Sequence, residues 1–122
     1  MASNLSIEHQ FSEDKNVLLV TPVGHLDHLN SYSLFDYVED VRKGSEVKQI
    51  VFLLEKTNYI GSRGFGIILK LGETLKKEAG EVILAEAQPY ILDTFMMMGL
   101  GRVVKYFNSR KDALEYFSLK SA

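Results

Sequence analysis

A chain of 122 residues is long enough for one ordinary domain and too short for two, and at that length it buries roughly two-thirds of its unfolded surface without a metal or disulfide staple. It contains no cysteine, which excludes disulfides, thiolate metal sites and a cysteine nucleophile and fits a reducing compartment. The formal net charge of −2 offers no general attraction to nucleic acid or anionic lipid, no apolar run approaches the roughly 20 residues that span a bilayer, and the polar segment 1–10 lacks a signal-peptide pattern, so a cytoplasmic domain is expected.

Leu5, Ile7 and His9 alternate with polar residues, which predicts an edge strand with one wet face. After a turn at 12–16, VLLVTPVGHL at 17–26 reads as a second strand, antiparallel to the first, with Pro22 expected to mark a bulge or the strand end. DHLNS at 27–31 is a polar loop rich in helix N-cap residues. Leu34, Tyr37, Val38 and Val41 then recur at helical spacing until Gly44. IVFLL at 50–54 is apolar throughout, as a central strand covered on both faces would be. Phe65, Ile68, Leu71 and Leu75 mark a helix over 62–79 that starts at or next to Ser62 and ends near Gly80. Its Lys70, Glu73, Lys76, Lys77 and Glu78 form a solvated face. EVILAEA at 81–87 is another buried strand, and Pro89 suits the first turn of the next helix. Ile91, Phe95 and Met98 form that helix's core stripe, leaving Met96 or Met97 for the surface, and Gly99 and Gly101 end it. VVKYF at 103–107 reads as a short strand, and Ser109 caps a last helix carrying Ala113, Leu114 and Phe117. The order is ββαβαβαβα, an α/β domain with parallel pairing and right-handed crossovers.

The stretch NYIGSRGFGIIL at 58–69 holds three glycines and a serine between two apolar runs. Its G-x-x-G-x-G order is neither the dinucleotide fingerprint nor a nucleotide-triphosphate loop. It is not a nucleophile elbow either, because Ser62 directly follows Gly61. A plain reading remains: Ser62 is a helix N-cap worth about 1 kcal/mol, and Gly64 and Gly66 let the helix pack closely on the sheet. Asp27 between His25 and His28 invites a metal reading, but three ligands on one short loop rarely reach one ion, so no metal or cofactor is expected.

Three stretches in order nevertheless resemble the STAS domain family of bacterial anti-sigma factor antagonists. VTPVGHLDHLNSYSLFDYV is similar to that family's strand-G-E-L-D-loop-helix stretch, QIVFLLEKTNYIGSRGFGIIL to its strand followed by D-S-[ST]-G-L-G, and MMMGLGRVVKYFNSRKDAL to its T-G-L-x-x-x-[FI] ending and last helix. The resemblance spans about residues 5–119 of a single domain taken as 1–122. It implies a mixed, mostly parallel sheet of about five strands with about four helices mainly on one face. It also implies a non-enzymatic regulatory protein that binds an anti-sigma factor or serine kinase. That kinase phosphorylates the serine matching Ser62, and a phosphatase restores it. The loop Asp of the family matches Asp27. Partner contacts are expected from Asp27, His28 and Asn30 on one loop and from Tyr59, Gly61, Ser62, Arg63, Gly64 and Phe65 on the other. Three residues depart from the family pattern: Gly61 replaces Asp, Arg63 replaces Ser or Thr, and His25 replaces Glu. The alternative is a divergent STAS subunit without a phosphoswitch, bound to a transporter ATPase. A STAS-like nucleotide-binding domain is the third reading. Direct nucleic-acid binding and membrane insertion are not expected.

Overall fold

The continuous apolar runs find the most enclosed positions. In the computed structural model, which describes residues 4–120, β3 (Gln49–Leu53) lies between β2 (Val17–Leu26) and β5 (Glu81–Ala85), parallel to both. The outermost positions of the expected 1–122 domain, and the first residues of the polar 1–10 segment, lie outside the described residues. β1 (Leu5–Phe11) pairs antiparallel with β2 at one edge and β6 (Tyr106–Phe107) parallel with β5 at the other, giving the order β1-β2-β3-β5-β6. The alternating pattern of β1 thus marks an edge strand, as its sequence predicts.

Strand alternation sends side chains to two separate cores. Leu18, Val20, Ile50, Phe52 and Leu84 face one side, where α1 (Ser31–Lys43), α2 (Ser62–Lys76) and α3 (Pro89–Met97) bury Leu34, Val38, Phe65, Leu71, Leu75, Ile91 and Phe95 against them. Val17, Leu19, Val51, Leu53 and Ile83 face the other side, covered by Ala113 and Phe117 of α4 (Arg110–Lys120). Three helices therefore share one face and one takes the other. Ser109 Oγ accepts a hydrogen bond from Asp112 N at 3.1 Å, so α4 is capped as its sequence predicts.

Four local expectations are corrected. The strand 17–26 runs straight through Pro22, which pairs with Ile7. The sheet tolerates the proline because Val20 is the last residue of β2 to pair with β3, and the next parallel pairing begins at Gly24. Helix α2 ends at Lys76, not 79. Ala79 adopts a left-handed φ of 64° and Gly80 N returns to Leu75 O at 2.7 Å. Gly80 serves a different need: a Cβ there would lie 1.9 Å from Lys48 O. Met98 is not core, being 46 % exposed: it keeps helical backbone, its N–H donating to Thr94 O at 3.0 Å, but as the C-cap of α3 it lines an open groove and not the packed sheet. Finally, only Tyr106–Phe107 of the 103–107 run is strand; a 3₁₀ turn at Leu100–Arg102 leaves Val103 72 % exposed.

Candidate functional site

A short strand that local pattern does not announce, β4 (Thr57–Ile60), builds the site. It pairs parallel with the far half of β2, Gly24 with Thr57, His25 with Tyr59 and Leu26 with Ile60, across a register irregularity. The buried Thr57 hydroxyl donates to Pro22 O at 2.7 Å and fixes the pairing from below. Both strands then end together: Gly61 N donates to Leu26 O at 2.9 Å. The Asp27 loop and the glycine turn, more than 30 residues apart in sequence, therefore emerge side by side.

The Asp27 loop is closed by its own side chains. Asp27 Oδ1 accepts from Leu29 N and Asn30 N at 2.9 and 3.1 Å. Asn30 Oδ1 accepts from Asp27 N at 2.9 Å, and its amide donates to His25 O at 2.8 Å. Ser31 donates its hydroxyl to Asp27 O. These contacts hold the chain in an Asx-type turn and leave His28 and Leu29 projecting, Leu29 at 82 % exposure.

The glycine turn is built differently. Gly61, with extended backbone, is the N-cap of α2, and no side-chain hydrogen bond caps the helix. The N-cap reading of Ser62 is thereby corrected: it is the first helical residue, exposed, one position too late to cap. The first-turn N–H groups point outward at the positive end of the helix dipole, where an anion is tolerated. Gly64 is required by packing, since a Cβ would sit 2.9 Å from Ile60 Cγ2 and 3.0 Å from Leu26 O. Gly66 is not, since nothing lies within 4 Å of its Cβ position. Arg63 Nη1 donates to His28 O at 3.3 Å and tethers one loop to the other.

Beside Ser62 lies a groove of about 270 Å³ between the glycine turn and α3, lined by Tyr59, Ile60, Phe65, Tyr90, Ile91, Thr94 and Met98 without one charged side chain. Gln88 positions this wall: its amide donates to Thr57 O at 3.0 Å and Glu55 O at 3.2 Å, drawing the start of α3 onto β4.

The STAS domain profile matches residues 9–113. The chain belongs to the STAS domain family. Along its length this STAS domain is 25 % identical over 111 residues to the anti-sigma F factor antagonist of Paenibacillus polymyxa, covering 91 % of this chain and 93 % of that protein. Its fold matches the anti-sigma factor antagonist SpoIIAA in unphosphorylated form with a TM-score of 0.77 at 19 % identity, over 93 % of this chain and 96 % of that one. It also matches the phosphorylated form of SpoIIAA from Bacillus, with a TM-score of 0.68 at 20 % identity over 92 % and 99 % of the two chains.

Within this STAS domain the residues singled out from sequence do converge, but unequally. His28, Tyr59, Ser62 and Arg63 are exposed, and Asp27 and Gly61 partly so. Asn30 is only 7 % exposed and both ends of its carboxamide bond within the loop, so it shapes the surface from beneath. Gly64 and the 3 %-exposed Phe65 do the same. Sequence reasoning missed Gln88, Tyr90, Thr94 and Met98. One signal was available: Tyr90 falls outside the Ile91–Phe95 stripe, so an aromatic ring had to face outward.

Proposed function

We propose that this STAS domain is a cytoplasmic, non-enzymatic regulatory module that binds an anti-sigma factor or serine kinase, and that phosphorylation of Ser62 switches the binding off until a phosphatase restores the hydroxyl. The partner surface comprises Asp27, His28 and Leu29 on the first loop, Tyr59, Gly61, Ser62 and Arg63 on the second, and the uncharged groove under Tyr90 and Met98. The observation that carries this reading is Ser62 itself. Its hydroxyl is exposed, caps nothing, and stands at the rim of an uncharged groove.

The physics of such a switch is direct. A phosphate adds roughly −1.5 to −2 charges. At a helix N-terminus the fold accommodates that charge. A partner fitted to a bare hydroxyl and an uncharged groove does not, because desolvating an unpaired charge costs several kcal/mol. Arg63 neutralises part of it only by leaving His28 O, a 3.3 Å contact with a neutral acceptor that is easily exchanged for a charge-assisted one.

Calorimetric titration against the cognate anti-sigma factor tests the reading. Ser62→Asp weakens binding at least about tenfold, or 1.4 kcal/mol, while Ser62→Ala binds nearly as well as the parent. Adding Arg63→Ser to Ser62→Asp weakens binding further. Equal affinity across the set, with no phosphoserine found by mass spectrometry of protein from its native host, would leave Ser62 an ordinary first-turn residue.

A further inference from the structure

On the far side of α3 the sheet ends in a second groove of different character. β6 is the terminal strand. Leu84 N donates to Lys105 O at 3.0 Å and Glu86 N to Phe107 O at 3.3 Å, so strand alternation turns the Tyr106 N–H and C=O toward the free edge. The side chains anchor the strand on both faces: the Tyr106 hydroxyl accepts from Ala87 N at 3.0 Å, and the Phe107 ring packs 5.1 Å from Tyr116. Along this edge runs a groove of about 500 Å³ lined by Met96, Arg102, Lys105, Tyr106 and Phe107 above two glycines. Met96 is 52 % exposed at its wall.

Charge is what makes this groove informative. The chain carries a formal net charge of −2, yet both charged residues lining the groove are cations. Among the described residues neither Arg102 nor Lys105 forms an ion pair. A single lysine beside an edge strand would serve only to discourage sheet-to-sheet pairing. Here two cations flank an apolar floor and an unpaired backbone residue, which together match the parts of an extended peptide with alternating acidic and apolar side chains.

We propose that the β6 edge is a second docking site, which takes an extended acidic segment of a partner protein by strand addition. Its backbone pairs with Tyr106, its carboxylates meet Arg102 and Lys105, and the apolar side chain between them, turned to the opposite face by strand alternation, seats against Tyr106 and Met96. The site is independent of the switch at Ser62: Met98 lines the Ser62 groove and Met96 this one, so the two surfaces can be occupied together.

The test is an NMR titration of the isotope-labelled protein with the blocked peptide Glu-Phe-Glu-Leu-Glu-Val, with Lys-Phe-Lys-Leu-Lys-Val as the control. The acidic peptide should shift amides at 99–107 saturably and slow hydrogen exchange at Tyr106, and the lysine peptide should not. Arg102→Glu combined with Lys105→Glu should weaken the acidic peptide at least tenfold, and so should N-methylation of alternate peptide amides. The milder Lys105→Gln, at an exposed position, should give a smaller loss in the same direction. Absence of saturable shifts at millimolar peptide would overturn the proposal. Shifts centred on 59–65, or affinity unchanged by charge reversal, would do so as well. Sedimentation with phosphatidylserine vesicles that requires both cations, without any peptide response, would reassign the patch to a membrane surface.

Discussion

Helices α1 and α2 both begin on a serine, and the two hydroxyls end in opposite circumstances. Ser31 is fully buried and donates to Asp27 O, one of several side-chain bonds that close the Asp27 loop. Ser62 is exposed, and the turn before it is closed by backbone alone, through Gly61 N to Leu26 O at 2.9 Å and Phe65 N to Gly61 O at 3.1 Å. The first helix start needs its serine for folding. The second needs glycine at 64 and leaves its serine idle. A hydroxyl that folding does not use is available to chemistry from outside, and this contrast with the buried, bonded Ser31 supports the proposed switch at Ser62.

If α2 is held by its buried face and not by its cap, Leu71→Ala costs about 2–5 kcal/mol in urea unfolding, since Leu71 has no exposed surface; a cost under about 0.5 kcal/mol would place the helix wrongly. Asn30→Ala leaves the Asp27 N–H and His25 C=O without their partners and costs about 1–3 kcal/mol. No loss there would mean that the first loop does not depend on its side chains. The glycines sharpen the contrast further. Gly64→Ala costs about 1–3 kcal/mol by pushing α2 off Leu26 and Ile60, whereas Gly66→Ala, on the open face of the same helix, stabilises by about 0.5–1 kcal/mol. Thermal melts of the pair should move in opposite directions. The smallest effect belongs to Ser62→Ala, within about 0.5 kcal/mol of the parent; a loss above about 1 kcal/mol, the size of a capping bond, would restore its structural role.

Much of the fold was legible in periodicity. The strands expected at 17–26, 50–54 and 81–87 became the three central strands, the last ending at Ala85, and the Leu34–Val38 and Phe65–Leu75 stripes became the buried faces of α1 and α2. Where reading failed, a contact distant in sequence overrode a local signal. Thr57–Ile60 is too short and too polar to announce a strand, and only the open edge of β2 beyond Val20 makes it one. Pro22 sits at that same change of partner, where a missing N–H does little harm. Met98 keeps both the spacing and the helical backbone, yet at the end of α3 it faces the groove beside Ser62 and not the sheet.

The site divides along the same line. The chain's own pattern was enough to place a serine at the start of a helix after a glycine, a polar loop after the second strand, and a layered α/β core. Each is a matter of neighbours within one or two turns of chain, where backbone conformation and side-chain period act directly. That the two loops adjoin, that Arg63 ties them, and that Gln88 brings Tyr90, Thr94 and Met98 to form a wall beside Ser62 came with the packing of the whole chain. Those contacts join residues some 30 positions apart, and they exist because parallel pairing of β4 on β2 ends both strands at one level.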